Sequence, residues 1–350
     1  MSAELDHLRN PKESRLPSDH SLLLPNPGFL PGAAFNKTRD QMGKPNATYS
    51  ELDHDLFREN CDMLYGEYIS ILSVLTKHLG SSNITIIKNK MTMGFKNSKT
   101  GDLSLVDQDL PEISEFKNIR INSFIDYPSV WTRDGFTSIG PITFLHPLYF
   151  LYAQESERVI KSVLGEGGAV LNAGKAVLVS ESLWRRRTQD KGCQILKDLG
   201  FVVAPLPPVD PSKQGYKFNE DHIDGHAALI LDKNGRLRLL ITDSYSRQGN
   251  GTRKKIRFAA ETIGAEIFEI DDRNLPPLVL NFIQFEDRSV VVTEGETRDL
   301  TWVLEGMLSN EKVLITDKPI VNIPLSLQGS IRCMTAIVPN SVLKKLETLV

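Results

Sequence analysis

Short β-prone runs alternate with helical segments along most of this chain, and that alternation restricts the fold more than composition does. Strands are expected at residues 84–87, 118–121, 176–180, 201–204, 227–231, 237–242, 265–270, 289–293 and 313–316. Helices are expected at 153–164, 188–199, 252–263, 297–309 and 341–349. Before them, Leu52, Leu56, Cys61, Leu64, Tyr68, Leu72, Leu75 and Leu79 recur at helical spacing, and Gly80 supplies a stop. Strand–helix–strand units returning every ~40 to 60 residues point to repeated α/β modules rather than to one nucleotide-binding half. Residues 1–50, rich in Pro, Asn and Ser without a period, read as an extended arm, and 51–350 as a single domain.

No glycine-rich fingerprint follows a strand and opens a helix, so a dinucleotide or phosphate site is disfavoured and no cofactor is expected. The formal net charge of -3 lacks the basic stripe of a nucleic-acid binder. No run approaches the ~18 apolar residues of a membrane span, and the N-terminus shows no secretory leader. Cys61, Cys193 and Cys333 form no disulfide framework, which suggests a cytoplasmic protein. Cys61 and Cys193 lie on apolar helical faces and read as core. Cys333 stands between the Gly329-Ser330 turn and a β-prone run, well placed to present its sulfur at the mouth of a site.

Three more stretches carry chemistry. Trp131 to Gly135, WTRDG, follows a Tyr-Pro-Ser turn signal and places Arg133 and Asp134 on a loop. Glu166-Gly167-Gly168 sets a carboxylate beside residues that permit close approach. In the stretch 219–230, a strand beginning at His222 would align His222, Asp224 and His226 on one face. Such a face suits an iron triad only with a further distant histidine, and none follows His226. An acid/base histidine beside a carboxylate, serving a thiol nucleophile, is the better reading, with no metal.

WTRDG, GEGG followed by a strand, HID and IRCMT, in that order across residues 80–340, resemble the guanidine-modifying enzymes of the pentein superfamily: agmatine and arginine deiminases, amidinotransferases and dimethylarginine hydrolases. The resemblance implies an α/β fold, a five-bladed α/β propeller with an N-terminal extension and the site at its centre. It also implies a covalent thiouronium mechanism that releases ammonia and a ureido product. By the motifs, Cys333 would be the nucleophile, His222 the general acid/base, and Glu166 the residue that orients the histidine. Asp134 and Asp224 would bind the guanidinium, with Trp131 and Arg185 as further substrate contacts, Arg185 toward an α-carboxylate.

The motifs are mixed. Asp221 precedes His222 and Arg332 precedes Cys333, unlike usual agmatine deiminases, whereas GEGGAVLNAG is closer to them. The expected partner is a small guanidino compound such as arginine, with agmatine or amidino transfer as alternatives and a non-catalytic binding protein as a third reading. A homo-oligomer is compatible with the sequence.

Overall fold

The computed structural model describes residues 15–17, 19–25, 51–87, 92–96, 103–107, 119–122, 133, 135–146, 159–186, 191–210, 222–273, 275, 278–294, 298–327 and 329–348. In chain order the first elements are β1 (His20–Pro25), α1 (Glu51–Leu79), β2 (Ile84–Ile87), β3 (Thr92–Lys96), β4 (Leu103–Asp107) and β5 (Arg120–Asn122). Next come β6 (Phe136–Ile139), β7 (Ile142–Leu145) and β8 (Val159–Lys161), then β9 (Val170–Ala173), β10 (Ala176–Ser180), α2 (Glu181–Arg186), α3 (Gly192–Asp198) and β11 (Val202–Leu206). They are followed by β12 (Ala227–Leu231), β13 (Leu237–Thr242), α4 (Asp243–Ser246), α5 (Thr252–Ile263) and β14 (Glu266–Ile270). The chain continues through β15 (Ile283–Gln284), β16 (Val290–Val292), α6 (Arg298–Met307) and β17 (Val313–Ile315). It ends with α7 (Asn322–Leu327), α8 (Ile331–Met334), β18 (Ala336–Pro339) and α9 (Asn340–Thr348).

One pattern organises the sheets. In β6-β7-β8, β9-β10-β11, β12-β13-β14 and β15-β16-β17, the first two strands form an antiparallel pair and the third joins the second in parallel. Parallel neighbours need a crossover, and helices supply it between β10 and β11, β13 and β14, and β16 and β17. A further sheet repeats the pattern with its strands drawn from both ends of the chain: β18 pairs antiparallel with β1, and β1 pairs parallel with β2 across the crossover helix α1, with β5 added outside β2. Strands β3 and β4 form a separate hairpin. Ser138, Asn172, Leu229, Ile283 and Ile337, one from the first strand of each of these five like sheets, all line one cavity of about 100 Å³.

The split sheet corrects the expectation of an extended arm for residues 20–25, while 1–14, 18 and 26–50 lie outside the described residues. Residues 20–25 are a central strand in which Leu22, Leu23 and Leu24 are fully buried. The run of three leucines has no polar alternate to face water, as expected of a strand covered on both faces. On one side of the sheet, Leu64, Tyr68, Leu72, Leu75 and Leu79 of α1 pack with Leu22, Leu24, Ile84 and Ile86, and the buried Tyr68 hydroxyl donates to Pro25 O (2.8 Å). The same helix ties down a distant one. Buried Glu67 accepts N–H donors from Val321 (3.1 Å), Asn322 (2.7 Å) and Ile323 (2.8 Å) at the start of α7, where unsatisfied amides favour a negative charge.

A second correction concerns 153–164, expected as a helix. Val159–Lys161 is instead β8, paired in parallel with β7, and a short 3-10 turn follows at Val163–Gly165. Val159 and Ile160 are β-branched, and with an open strand edge to join, pairing overrides the apparent helical spacing. Residues 151–158 lie outside the described set. The other expected strands occur, several of them trimmed by one or two residues, and Thr252–Ile263 is a helix as read, closed by Gly264 in the left-handed region (φ 72°).

Leu23→Ala tests whether β1 is structural. A fully buried leucine in a sheet should cost about 2–5 kcal/mol on truncation, whereas a residue on a surface arm would cost under about 0.5 kcal/mol. Urea unfolding of the two proteins separates these outcomes.

Candidate functional site

Cys333 lies in the single turn α8, between extended Ser330 and β18, and is 2% exposed. Asn281, just before β15, grips that turn from across the molecule. Its Nδ2 donates to Cys333 Sγ (3.1 Å), its Oδ1 accepts the Cys333 N–H (3.1 Å), and its carbonyl accepts the Arg332 N–H (3.1 Å). Nothing in the local sequence around Asn281 marks it, because its importance comes from residues about fifty positions away. On its other side the sulfur lies 3.5 Å from Asp224 Oδ2, with the thiol as donor.

Asp224 is fully buried and is held through its backbone, its N–H donating to Gly168 O (3.2 Å). Its Oδ2 also accepts from Arg332 Nη1 (2.7 Å), while its Oδ1 has no hydrogen-bond partner among the described residues. Arg332 therefore brings a guanidinium of its own to the carboxylate that the motif assigns to a substrate. That guanidinium also donates to Gly167 O (2.9 Å) and Val170 O (2.5 Å), which supplies the buried cation with further acceptors. Arg133, from the WTRDG motif, donates its Nε to Arg332 O (3.2 Å) and Thr335 O (2.9 Å), and so braces the segment that carries Cys333.

The second group centres on Glu166, which sits between the 3-10 turns Val163–Gly165 and Gly167–Ala169. Its Oε1 meets His222 Nε2 at 2.8 Å and its Oε2 meets His146 Nε2 at 3.1 Å. His146, at the end of β7, was not singled out from the sequence. Burial pushes its pKa down, opposed by the charge of Glu166 and assisted by that of His222. The glycines after Glu166 are required by contact: a Cβ on Gly168 would lie 2.5 Å from His222 Nδ1, and one on Gly167 would run into Arg133. Gly168 thus touches both groups, with the His222 ring against its Cα and the Asp224 amide on its carbonyl.

His222 does not begin a strand. Residues 222–226 are loop and turn, and β12 starts at Ala227, so the expected shared face of His222, Asp224 and His226 does not exist. The turn sends Asp224 to Cys333 and His222 to Glu166, while His226 Nδ1 faces Thr242 Oγ1 (3.5 Å). Burial lowers the His226 pKa to about 4, against the raising effect of Asp272 and Asp224. Cys193 is buried in the core with Leu164, Leu183 and Leu196, as its helical face suggests. Asp134 and Trp131 lie outside the described residues, as do the side chains of Arg185 and Cys61. Arg185 belongs to α2, which follows β10 directly.

A wider cavity of about 760 Å³, lined by Asp232, Arg236, Phe268 and Trp302 among others, contains none of these residues. Among the described residues no helix is long and apolar enough to cross a membrane.

Neither family models nor curated protein sequences match the chain. Solved structures do. An agmatine deiminase from C. jejuni is 15% identical with a TM-score of 0.56, the match covering 93% of this chain and 94% of that one. A cysteine-to-serine variant of an agmatine deiminase from the same organism, with substrate bound, is 14% identical with a TM-score of 0.56, covering 93% and 95%. A dimethylarginine hydrolase from Pseudomonas aeruginosa, complexed with citrulline, is 11% identical with a TM-score of 0.48, covering 91% and 98%. The chain thus has the mixed α/β fold of the pentein enzymes, to which the agmatine deiminases belong.

Two measurements probe this geometry. Asn281→Ala removes an N–H donor from the sulfur, and a hydrogen bond to a charged group contributes about 1.5–3 kcal/mol. The thiolate absorbance near 240 nm, taken as a difference from Cys333→Ser, should then appear about one to two pH units higher than in the unsubstituted protein.

The buried His226 ring makes stability depend on pH. The unfolded chain takes up a proton near the ordinary value of 6.5, the folded chain only near 4, so stability is complete above about 6.5 and is lost as pH falls toward 4. The ceiling of this effect is about 3 kcal/mol. His226→Gln should flatten the slope of unfolding free energy against pH in that window by up to one proton.

Proposed function

We propose that this chain is a thiol-dependent hydrolase of a guanidino compound, built as a five-bladed propeller whose blades are the five like sheets. The observation that carries the reading is Asp224: a fully buried carboxylate with one oxygen on a guanidinium and beside the Cys333 sulfur, and the other oxygen without a partner among the described residues. An unsatisfied buried acceptor is costly, and a bound donor group relieves it. The planar N–H groups of a second guanidinium are suited to that oxygen, and Asp134 would supply the opposing carboxylate.

In this reading Cys333 attacks the guanidinium carbon as thiolate. The positive charges of Arg332 and of the substrate offset the carboxylate next to the sulfur, and the Asn281 amide stabilises the anion further. The C–S bond forms, His222 gives a proton to the departing nitrogen as its C–N bond breaks, and ammonia leaves. His222 then takes a proton from water, which adds to the thiouronium carbon. The C–S bond breaks as the adduct's hydroxyl loses its proton to solvent, where the released ammonia takes it up as ammonium, and the ureido product and the thiolate are released. Glu166 holds His222 in place and stabilises the imidazolium when it forms. Arginine is the favoured substrate, with Arg185 proposed as partner of its α-carboxylate, and the cytoplasm the proposed compartment.

Purified protein incubated with arginine, agmatine, methylated arginines and guanidinoacetate, with and without glycine as an amine acceptor, should release ammonia and a ureido product without the acceptor. Cys333→Ser should lower the rate by at least about 10³-fold, and exhaustive chelation should leave it unchanged. Full activity in the serine variant would sink the mechanism. Acceptor-dependent turnover would reassign the protein to amidino transfer, and a preference for agmatine unaltered by Arg185→Ala would remove the proposed carboxylate clamp.

A further inference from the structure

Glu166 touches two imidazoles at once, and the motif accounts for one of them. Both contacts are made by Nε2 atoms, at 2.8 Å to His222 and 3.1 Å to His146. An ionised carboxylate only accepts, so in these bonds each Nε2 carries the proton. The neutral form of His222 then has Nδ1 as its basic atom, on the part of the ring that packs over Gly168. Proton transfer at His222 is therefore confined to one edge of the ring by the way Glu166 is held.

His146 is well suited to hold it. Its side chain is 10% exposed, its backbone N–H is bonded to Gly135 O (3.3 Å), and a Cβ on Gly165 would strike its backbone, so the residue is locked at the end of β7. We infer that His146 is a positioning residue for the reaction: it orients the Glu166 carboxylate as a neutral donor and leaves the carboxylate charge intact for the His222 imidazolium. A lysine or arginine at this place would cancel that charge. The inference rests on the proposed acid/base role of His222. Among the described residues, charged groups near this pair include Arg133 and Arg332, which lie against Gly167, and Asp224, two residues beyond His222. The substitutions below leave all three in place.

Ring-¹⁵N-histidine labelling of the full chain reads tautomers and titration without any need for turnover, and His222→Gln assigns the relevant signal. In the unsubstituted protein both His146 and His222 should be Nε2-protonated when neutral. In His146→Ala the His222 titration should move down by about one unit, a tenfold change in its imidazolium ratio, and the acidic limb of the kcat profile should follow it. The same variant should lower kcat about tenfold or more with KM within about twofold. His146→Gln, which keeps an N–H near the Nε2 position, should restore both readouts.

An unprotonated Nε2 on His146 in the unsubstituted protein overturns the inference whether or not His146→Ala folds. So does an unchanged His222 titration in a folded His146→Ala variant, or a folded His146→Gln variant as impaired as the alanine one. If the unsubstituted protein turns over no guanidino compound yet the two titrations are coupled as described, the proposed activity fails and the positioning relation stands.

Discussion

A buried guanidinium must be paired, and the pairing of Arg332 ties distant segments of this molecule together. Its side chain spans from α8 to Asp224 in the loop before β12 and to the carbonyls of Gly167 and Val170 ahead of and within β9. Its backbone is held by Asn281 ahead of β15 and by Arg133 ahead of β6. Removing one partner from a buried ion pair strands the other charge at a cost of about 3–5 kcal/mol. The loop before β12 and the segment entering β9 are therefore held together by the need to satisfy one cation, while Asn281 and Arg133 fix the backbone that carries it. Cys333 takes its position from this network, as the next residue along.

The sheet beside this network is built from residues near the two ends of the sequence. β18 and β1 pair over residues 336–339 and 20–23, and β1 then offers its other edge to β2. Without β1, β18 and β2 would each present an unpaired edge, and the leucines of α1 would lose the surface on which they pack. Glu67 caps α7, so one helix crossing the split sheet also anchors the segment leading to α8.

The two site groups use the same residue types with opposite electrostatics. Asp224 is compensated by Arg332 and shares its neighbourhood with a sulfur, whereas Glu166 meets two imidazoles, and burial pushes the pKa of one of them, His146, down. The two carboxylates are linked through Gly167 and Gly168, whose missing side chains make room for Arg133 and His222. Substitution at either glycine would separate the halves of the site before it changed any charge.

Local sequence determined the elements whose signal is a side-chain period or a turn residue. β2, β10, β12, β13 and α5 have the bounds their patterns give, and the order of the WTRDG, GEGG, HID and IRCMT stretches pointed to the fold. Tertiary structure decided what depends on distant partners. Residues 20–25 read as an arm because nothing nearby pairs with them, and their neighbours are more than fifty residues downstream and at the far end of the chain. Residues 159–161 read as helix because no local pattern reports the open edge of β7. Asn281 and His146 carry no motif, Arg332 gives no sign in sequence that its partner is Asp224, and the turn at 223–226 rather than a strand parts His222 from Asp224. Period and turn chemistry act within a few residues, but satisfying a buried charge or strand edge is a condition on the whole fold.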